Sequence, residues 1–312
     1  MNAIALSFNA VFPLLGFMLT GYALRKMGLL DEATASGLSK LVFKAFLPLN
    51  IIQSIYNADI KTAFDAKLAL FVAVSCICTF LVISASVKSR IKEPTIAPVM
   101  IQGMHKANYN LLAIPIASSF FGSELGMTAV LVAVVTPIVN TCSTIAFESA
   151  RGGSVGLPKM LKKIATNPLV LSSIIGLALN LSGLKIPAVV MNGVVGKLAA
   201  MATPCAMLGL GAGFNFAEMK NWVKHLSAVV LVKLIILPAV IVPLAILLGV
   251  RGANLIAVLI YSGSPSAVNS YSTAVSMGGN EKLAGEIVAV TSLLSVFTLF
   301  VFLSTLGTLG YL

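Results

Sequence analysis

Two clusters of polar residues interrupt otherwise apolar stretches of this chain. The first contains Lys106, Asn108, Tyr109, Asn110 and Pro115, and the second contains Gly263, Ser264, Pro265, Ser266 and Asn269. Ammonium, amide and hydroxyl groups can all donate hydrogen bonds to an anion such as a carboxylate. Glycine and proline disfavour a continuous helix and so free backbone groups nearby. The residue types therefore predict anion binding at a pair of helix breaks.

The composition places these clusters inside a membrane. The 312 residues are 58% apolar and 10% charged, and the mean hydropathy is +1.00, whereas soluble domains are about 45 to 50% apolar. A helix needs about 20 apolar residues to cross a bilayer. Ten stretches meet this requirement, near residues 5–24, 36–57, 67–87, 95–121, 126–147, 167–183, 188–213, 223–248, 252–277 and 284–309. We therefore predict an all-α integral membrane protein with ten transmembrane helices.

The clusters lie in the fourth and ninth predicted spans, which should be broken helices. Pro115 and Pro265 each remove a backbone donor and disfavour helix at the preceding residue, and Gly263 adds to the second break. Unpaired backbone persists at membrane depth only where protein or water satisfies it, so the breaks should face each other or a wet cavity. Helices that start near the bilayer centre present N–H groups and a positive dipole end, which favours an anion. Candidate substrate-binding residues are Lys106, Asn108, Tyr109, Asn110, Ser264, Pro265, Ser266 and Asn269.

A purely structural interpretation is also open. Pro115 and Pro265 could be tolerated kinks, and the asparagine and serine side chains could be hydrogen bonds between helices. Tyr109, Asn110 and Tyr271 could either line a site or pack beside one.

The two halves of the chain resemble each other. Residues 21–29 and 176–184 share glycine, alanine or leucine at five positions that are 155 apart, and Asn108 aligns with Pro265 at an offset of 157. Internal repeats with matched breaks are typical of secondary transporters. One membrane domain would then comprise repeat 1, residues 1–150 with spans 1–5, and repeat 2, residues 151–312 with spans 6–10. Because five is odd, the repeats should be inverted.

Basic residues predict the orientation. Of the lysines and arginines in the loops, 12 fall in the odd-numbered loops and four in the even-numbered loops. The positive-inside rule then puts both termini outside the cytoplasm of a cell membrane. The first span lacks a positive n-region and should be retained, not cleaved.

Ionisable side chains inside the spans are lysines. All ten carboxylates lie in loops or within a turn or two of span ends, which argues against a buried acid as an ion relay but leaves sodium binding by carbonyls open. Lys106 could neutralise a bound carboxylate, or it could snorkel or pair with carbonyls freed by the break. Lys197 and Lys233 are weaker candidates, and His105 should pack.

Other function classes find little support. No His-Glu-x-x-His, intramembrane aspartate pair or supported serine dyad indicates an enzyme. The four cysteines show no metal-ligand or disulfide spacing, and we predict no metal and no cofactor. The net charge of +11 fits topology and attraction to membrane lipid, and no nucleic-acid partner is expected.

The chain resembles the auxin efflux carrier family, within the bile acid, arsenite and riboflavin transporter superfamily. The resemblance rests on residues 21–29, on Lys106 through Pro115, on Asn167-Pro168, on Pro204 with Gly209-Leu-Gly211, and on Gly263-Ser-Pro265 with residues 291–295. It implies ten spans in inverted repeats, a scaffold of spans 1, 2, 6 and 7, a transport domain of spans 3–5 and 8–10, and a substrate site where spans 4 and 9 cross. This chain has Lys106 where many relatives have arginine, and Tyr109 where they have proline.

The prediction is a secondary transporter for a small organic anion. Malate, malonate, lactate or an auxin-like acid are the substrates that the resemblance implies, together with elevator-type uniport and a possible homodimer through the scaffold. A sodium- or proton-coupled symporter of the bile acid type is the alternative.

Overall fold

The computed structural model describes residues 3–58, 64–121, 127–128, 130–150, 162, 164–213 and 218–312. Helices dominate this part of the chain, in agreement with the predicted all-α class. We number them α1 Ala3–Lys26, α2 Glu32–Tyr56, α3 Ala66–Arg90, α4 Ala97–His105, α5 Tyr109–Phe121, α6 Leu131–Ala150, α7 Pro168–Ser182, α8 Val189–Gly213, α9 Lys220–Leu247, α10 Gly252–Gly263, α11 Asn269–Met277 and α12 Glu281–Thr308.

Six of the described helices are long and apolar enough to cross a membrane. They are α2, α3, α6, α8, α9 and α12, and α7 and α10 are shorter apolar helices. The chain is therefore a multi-pass α-helical membrane protein. The count of ten spans and the inverted repeats stay predictions.

Polar caps define where several helices begin. The Asp31 side chain accepts from Thr34 N at the start of α2, and the Asp65 side chain accepts from Lys67 N before α3. Asn280 does the same for α12. Each cap satisfies an N–H that has no partner within its own helix. The polar residues between apolar runs thus fix the helix boundaries.

Three of the long helices are not α-helical over their whole length. π-helical turns occur at Val42–Phe46 in α2, Val189–Val195 in α8 and Leu231–Ile236 in α9. Such turns are rare in α-helices and frequently occur near functional sites. The turn in α2 comes immediately before residues that line the cavity described below.

Small residues allow α1 and α8 to pack closely. A Cβ atom at Gly21 would collide with the Leu208 carbonyl, and one at Gly211 would collide with the Met18 carbonyl. Small residues at helix contacts are the usual device in membranes, where the hydrophobic effect does not drive helices together. α1 and α8 therefore form one packed unit, and α2 packs against α8 beside it.

Candidate functional site

The first break separates α4 from α5. Lys106 N donates to Gln102 O over 2.8 Å and closes the last turn of α4. Lys106 then adopts an extended backbone, with ψ of 106°, and α5 begins at Tyr109. Residues 106–108 therefore form a short extended link inside the predicted fourth span.

The second break separates α10 from α11. Ser264 N donates to Ile260 O over 3.1 Å, and the Ser264 backbone is extended, with φ of −71° and ψ of 160°. Gly263 ends α10, and a Cβ there would lie 3.0 Å from Pro238 Cβ. α11 begins at Asn269, so residues 264–268 link the two helices.

The two links cross and pair with each other. Asn108 N donates to Pro265 O over 3.0 Å, and Ala267 N donates to Lys106 O over 3.0 Å. Ala107 and Ser266 form an antiparallel bridge between them. This pairing satisfies backbone groups that lipid could not. The two interruptions are thus one structural unit.

Ser266 locks this unit to its surroundings. Its Oγ donates to Gly103 O over 2.6 Å, and its N donates to Thr291 Oγ1 over 3.1 Å. Thr291 Oγ1 in turn donates to Ile287 O over 2.6 Å. Ser266 is fully buried. It therefore holds the crossing together from the side of α4 and α12.

Pro115 was predicted as a helix break, and this prediction is wrong. α5 runs without interruption from Tyr109 to Phe121 and includes Pro115. A membrane-buried helix tolerates proline where neighbouring groups satisfy the freed carbonyl. The break lies at residues 106–108, where pairing to the second link replaces the lost helical hydrogen bonds.

A cavity of about 140 Å³ lies beside the crossing. Its walls come from both links, from the middle of α2, from α6 and from α8. The residues that line it are Leu47, Asn50, Ile51, Ser54, Lys106, Ala107, Asn108, Tyr109, Val135, Thr136, Val139, Asn140, Ala202, Thr203, Ala206, Ala267, Val268 and Asn269. The first residues of both α5 and α11 are among them, so two helix N-termini face this space. Their dipoles favour an anion there.

Several buried polar atoms around this cavity have no hydrogen-bond partner within the described part of the chain. They are Lys106 Nζ, Asn108 Nδ2, Asn140 Nδ2, Asn140 Oδ1 and Asn269 Oδ1. Lys106 is 2% exposed and Asn140 is 1% exposed. Buried polar groups are normally paired, and a buried cation without a counter-charge is unfavourable. A ligand that carries negative charge and accepts hydrogen bonds would satisfy the donors.

Lys233 has a different environment, although it is equally buried. Its Nζ donates to Tyr261 O and Ser262 O, over 3.3 Å each. These carbonyls belong to the last turn of α10, where helical partners are missing. Lys233 therefore caps the helix before the second break. His105 packs as predicted, since its Nε2 lies 3.0 Å from Cys76 O and its ring contacts Phe80.

The substrate-binding residues predicted from the sequence fall into three groups. Lys106, Asn108, Tyr109 and Asn269 line the cavity. Ser264, Pro265 and Ser266 do not line it. All three are buried, and the Ser266 hydroxyl donates to α4 instead. The Asn110 side chain lies outside the described residues. Tyr109 also donates to Thr128 O over 2.7 Å, so it both borders the cavity and anchors α5.

Two asparagines that line the cavity had no place in the sequence prediction. Asn140 lies in the middle of α6, and Asn50 lies in α2, where its Nδ2 donates to Ala199 O over 3.4 Å. The available signal was a single asparagine within an apolar span. That signal alone does not separate a ligand contact from a hydrogen bond between helices.

Comparisons with known proteins agree with a transporter. A sequence profile of a membrane transport protein family matches residues 6–303. An uncharacterized transporter of Methanothermobacter thermautotrophicus is 25% identical over 94% of this chain and 96% of its own length. A protein of Rhizobium meliloti named a putative malonate transporter is 24% identical over 92% of each chain. The matches cover nearly the whole chain and point to transport, not to an enzyme. The chain belongs to this membrane transport protein family, the auxin efflux carrier family that its sequence resembles.

Proposed function

We propose that this protein carries a small organic anion, a mono- or dicarboxylate, across the cell membrane by alternating access. The observation that carries the proposal is Lys106, whose buried ammonium group has no hydrogen-bond partner among the described residues and borders a cavity. Asn108 Nδ2 supplies a second unused donor at the same place. A carboxylate has two acceptor oxygens and a full negative charge, so it matches both groups.

The cavity has room for a small acid. Its volume of about 140 Å³ is several times larger than the roughly 10–15 Å³ that one water molecule requires on the same measure. Malonate, malate and lactate are compatible with this volume. The name of the Rhizobium meliloti relative supports malonate among them.

The position of the cavity supports an elevator-type mechanism. α2 and α8 belong to the predicted scaffold, whereas the crossed links and α6 belong to the predicted transport domain. The cavity has walls from both sets. A ligand at this seam would move with the transport domain past the fixed helices α2 and α8. On this proposal both termini lie outside the cytoplasm, and a homodimer would form through the scaffold.

Reconstitution into proteoliposomes tests the proposal. Asn108→Ala should abolish uptake of radiolabelled malonate or lactate, because it removes a donor from the site. Pro265→Ala should do the same, because it introduces a buried N–H that has no partner at the crossing. Asn192→Ala is the matched control, since Asn192 is exposed on α8. Flux like that of the unmodified protein in both test variants, at equal protein content, would count against the site.

A coupled symporter is the second candidate. Glu286 is 2% exposed and lines another cavity, of about 500 Å³, together with Arg25, Tyr271 and Glu281. Buried carboxylates are the usual groups for ion coupling. Uptake that stops when sodium is removed, or when the pH gradient is collapsed at fixed potential, would favour symport. Uptake that persists under both conditions would favour uniport.

A further inference from the structure

We infer that the cavity selects monovalent acids that also carry a hydrogen-bond donor, such as 2-hydroxy acids or a half-protonated dicarboxylic acid. In this inference the amide oxygen of Asn140 accepts the hydrogen bond from that donor. The inference rests on the proposed function, because it names the substrate class of the same site. It adds a specificity residue on α6 to the residues of the two breaks.

The charges around the cavity favour a single negative charge. Among the described residues that line it, Lys106 is the one lysine or arginine. A carboxylate paired with Lys106 leaves no further basic side chain for a second carboxylate, and the N-termini of α5 and α11 carry only partial positive charges. An uncompensated charge in a buried site is strongly disfavoured. A dianion is therefore a poor ligand compared with a monoanion of the same size.

The unused acceptors are available to a donor on the ligand. Asn140 Oδ1 and Asn269 Oδ1 are buried and accept no hydrogen bond within the described residues. A fully ionised carboxylate offers only acceptors, so it cannot satisfy an amide oxygen. A hydroxyl group, or the O–H of a half-protonated dicarboxylic acid, can. Sites with unpaired polar groups discriminate strongly against ligands that leave those groups unpaired.

Asn140 is placed to recognise both parts of such a ligand. It is 1% exposed, and neither its amide nitrogen nor its amide oxygen has a hydrogen-bond partner in the part of the chain that the structure describes. The nitrogen can donate to the carboxylate while the oxygen accepts from the hydroxyl. Lys106 and Asn108 complete the donors on the carboxylate side. One side chain would thus link the charge and the hydroxyl of a single small ligand.

Competition between lactate and propanoate tests the inference, since the two acids share one carboxylate and differ in the hydroxyl. In proteoliposomes the unmodified protein should prefer lactate by about three- to tenfold or more, which is the range of one hydrogen bond. Asn140→Leu should remove most of that preference, and Asn140→Thr, which keeps a hydroxyl, should retain part of it. Asn192→Leu should leave the preference unchanged, because Asn192 is exposed outside the cavity.

The outcomes separate this inference from the proposed function. Equal transport of lactate and propanoate by the unmodified protein would overturn the inference and leave the carrier proposal standing. An unchanged preference in Asn140→Leu would overturn the role of Asn140. Failure to move lactate, propanoate and malonate alike would count against the proposed function itself.

Malonate uptake provides an independent test of the inference. If the site takes the half-protonated form, malonate uptake should rise as the external pH falls and should follow the concentration of that form. Uptake that follows total malonate at every pH would contradict the inference. Ligand-induced thermal stabilisation of the purified protein, measured over the same pH series, reports binding even where a variant transports slowly.

Discussion

Each helix break has a buried lysine at or beside it, and the two lysines differ in their hydrogen bonds. Lys106, at the first break, is 2% exposed and has no partner within the described residues, whereas Lys233, beside the second, is fully buried and caps two carbonyls of α10. Both ammonium groups are removed from water. The protein therefore satisfies one buried cation internally and leaves the other directed to a cavity. The comparison distinguishes a lysine that supports the fold from a lysine that is available to a ligand.

The largest expected effect comes from Lys106→Met. Removing the Lys106 ammonium group from the cavity should reduce carboxylate flux at least about 30-fold, because losing a buried charge contact costs about 2 kcal/mol or more. The thermal stability of the ligand-free protein should stay the same or rise, because an unpaired buried charge has been removed. Flux assays and melting curves on the same preparation measure both quantities. A large loss of stability would show that Lys106 supports the fold instead.

Lys233→Met should have the opposite profile. Two buried carbonyls at the end of α10 would lose their donor, which should lower the free energy of unfolding by about 1–3 kcal/mol. Flux per folded molecule should fall much less than in Lys106→Met. Denaturation in detergent, together with flux normalised to folded protein, measures the difference. If Lys233→Met abolishes flux without lowering stability, Lys233 takes part in transport, and the assigned difference between the two lysines is wrong.

Ser266→Ala sharpens the comparison at the crossing itself. It removes the hydrogen bond to Gly103 O, so stability should fall by about 1 kcal/mol. Because Ser266 does not line the cavity, the apparent affinity for the carboxylate should change little. Concentration dependence of uptake gives that affinity. A large change in affinity without a change in stability would place Ser266 in the binding site.

Pro115→Ala should have the smallest effect. Pro115 lies within α5, so the break at residues 106–108 does not depend on it. We expect flux within about twofold of the unmodified protein, because alanine is fully compatible with a continuous helix. The same assay on Pro265→Ala provides the contrast. Equal and severe losses of flux in both variants would show that Pro115 is part of the break.

The sequence predicted the breaks because they violate the apolar pattern. A lysine and an asparagine inside a span, and a Gly-Ser-Pro run inside another, are unfavourable in lipid unless the backbone is reorganised. Pro115 misled the prediction, since proline alone does not decide between a break and a tolerated residue. The matched positions of Asn108 and Pro265 predicted that the two breaks would face each other or a wet cavity, and the structure shows that their backbones pair.

The directions of side chains could not be predicted in the same way. Asn269 borders the cavity and Ser266 points away from it, although the two lie three residues apart. Their directions depend on the contacts of an irregular segment with α4 and α12. Asn140 was missed for a related reason, because one asparagine in an apolar helix looks the same whether it contacts a ligand or another helix. Likewise, nothing in the sequence identifies the carbonyls that Lys233 caps.

The most direct test is the stabilisation of purified protein by lactate, measured as a thermal shift in the unmodified protein and in Lys106→Met. A ligand at about 100 times its Kd stabilises the folded state by about 2.7 kcal/mol, so the unmodified protein should show a saturable rise in melting temperature. Lys106→Met should show none at the same concentrations. An equal, saturable shift in both proteins would contradict a carboxylate site built around Lys106.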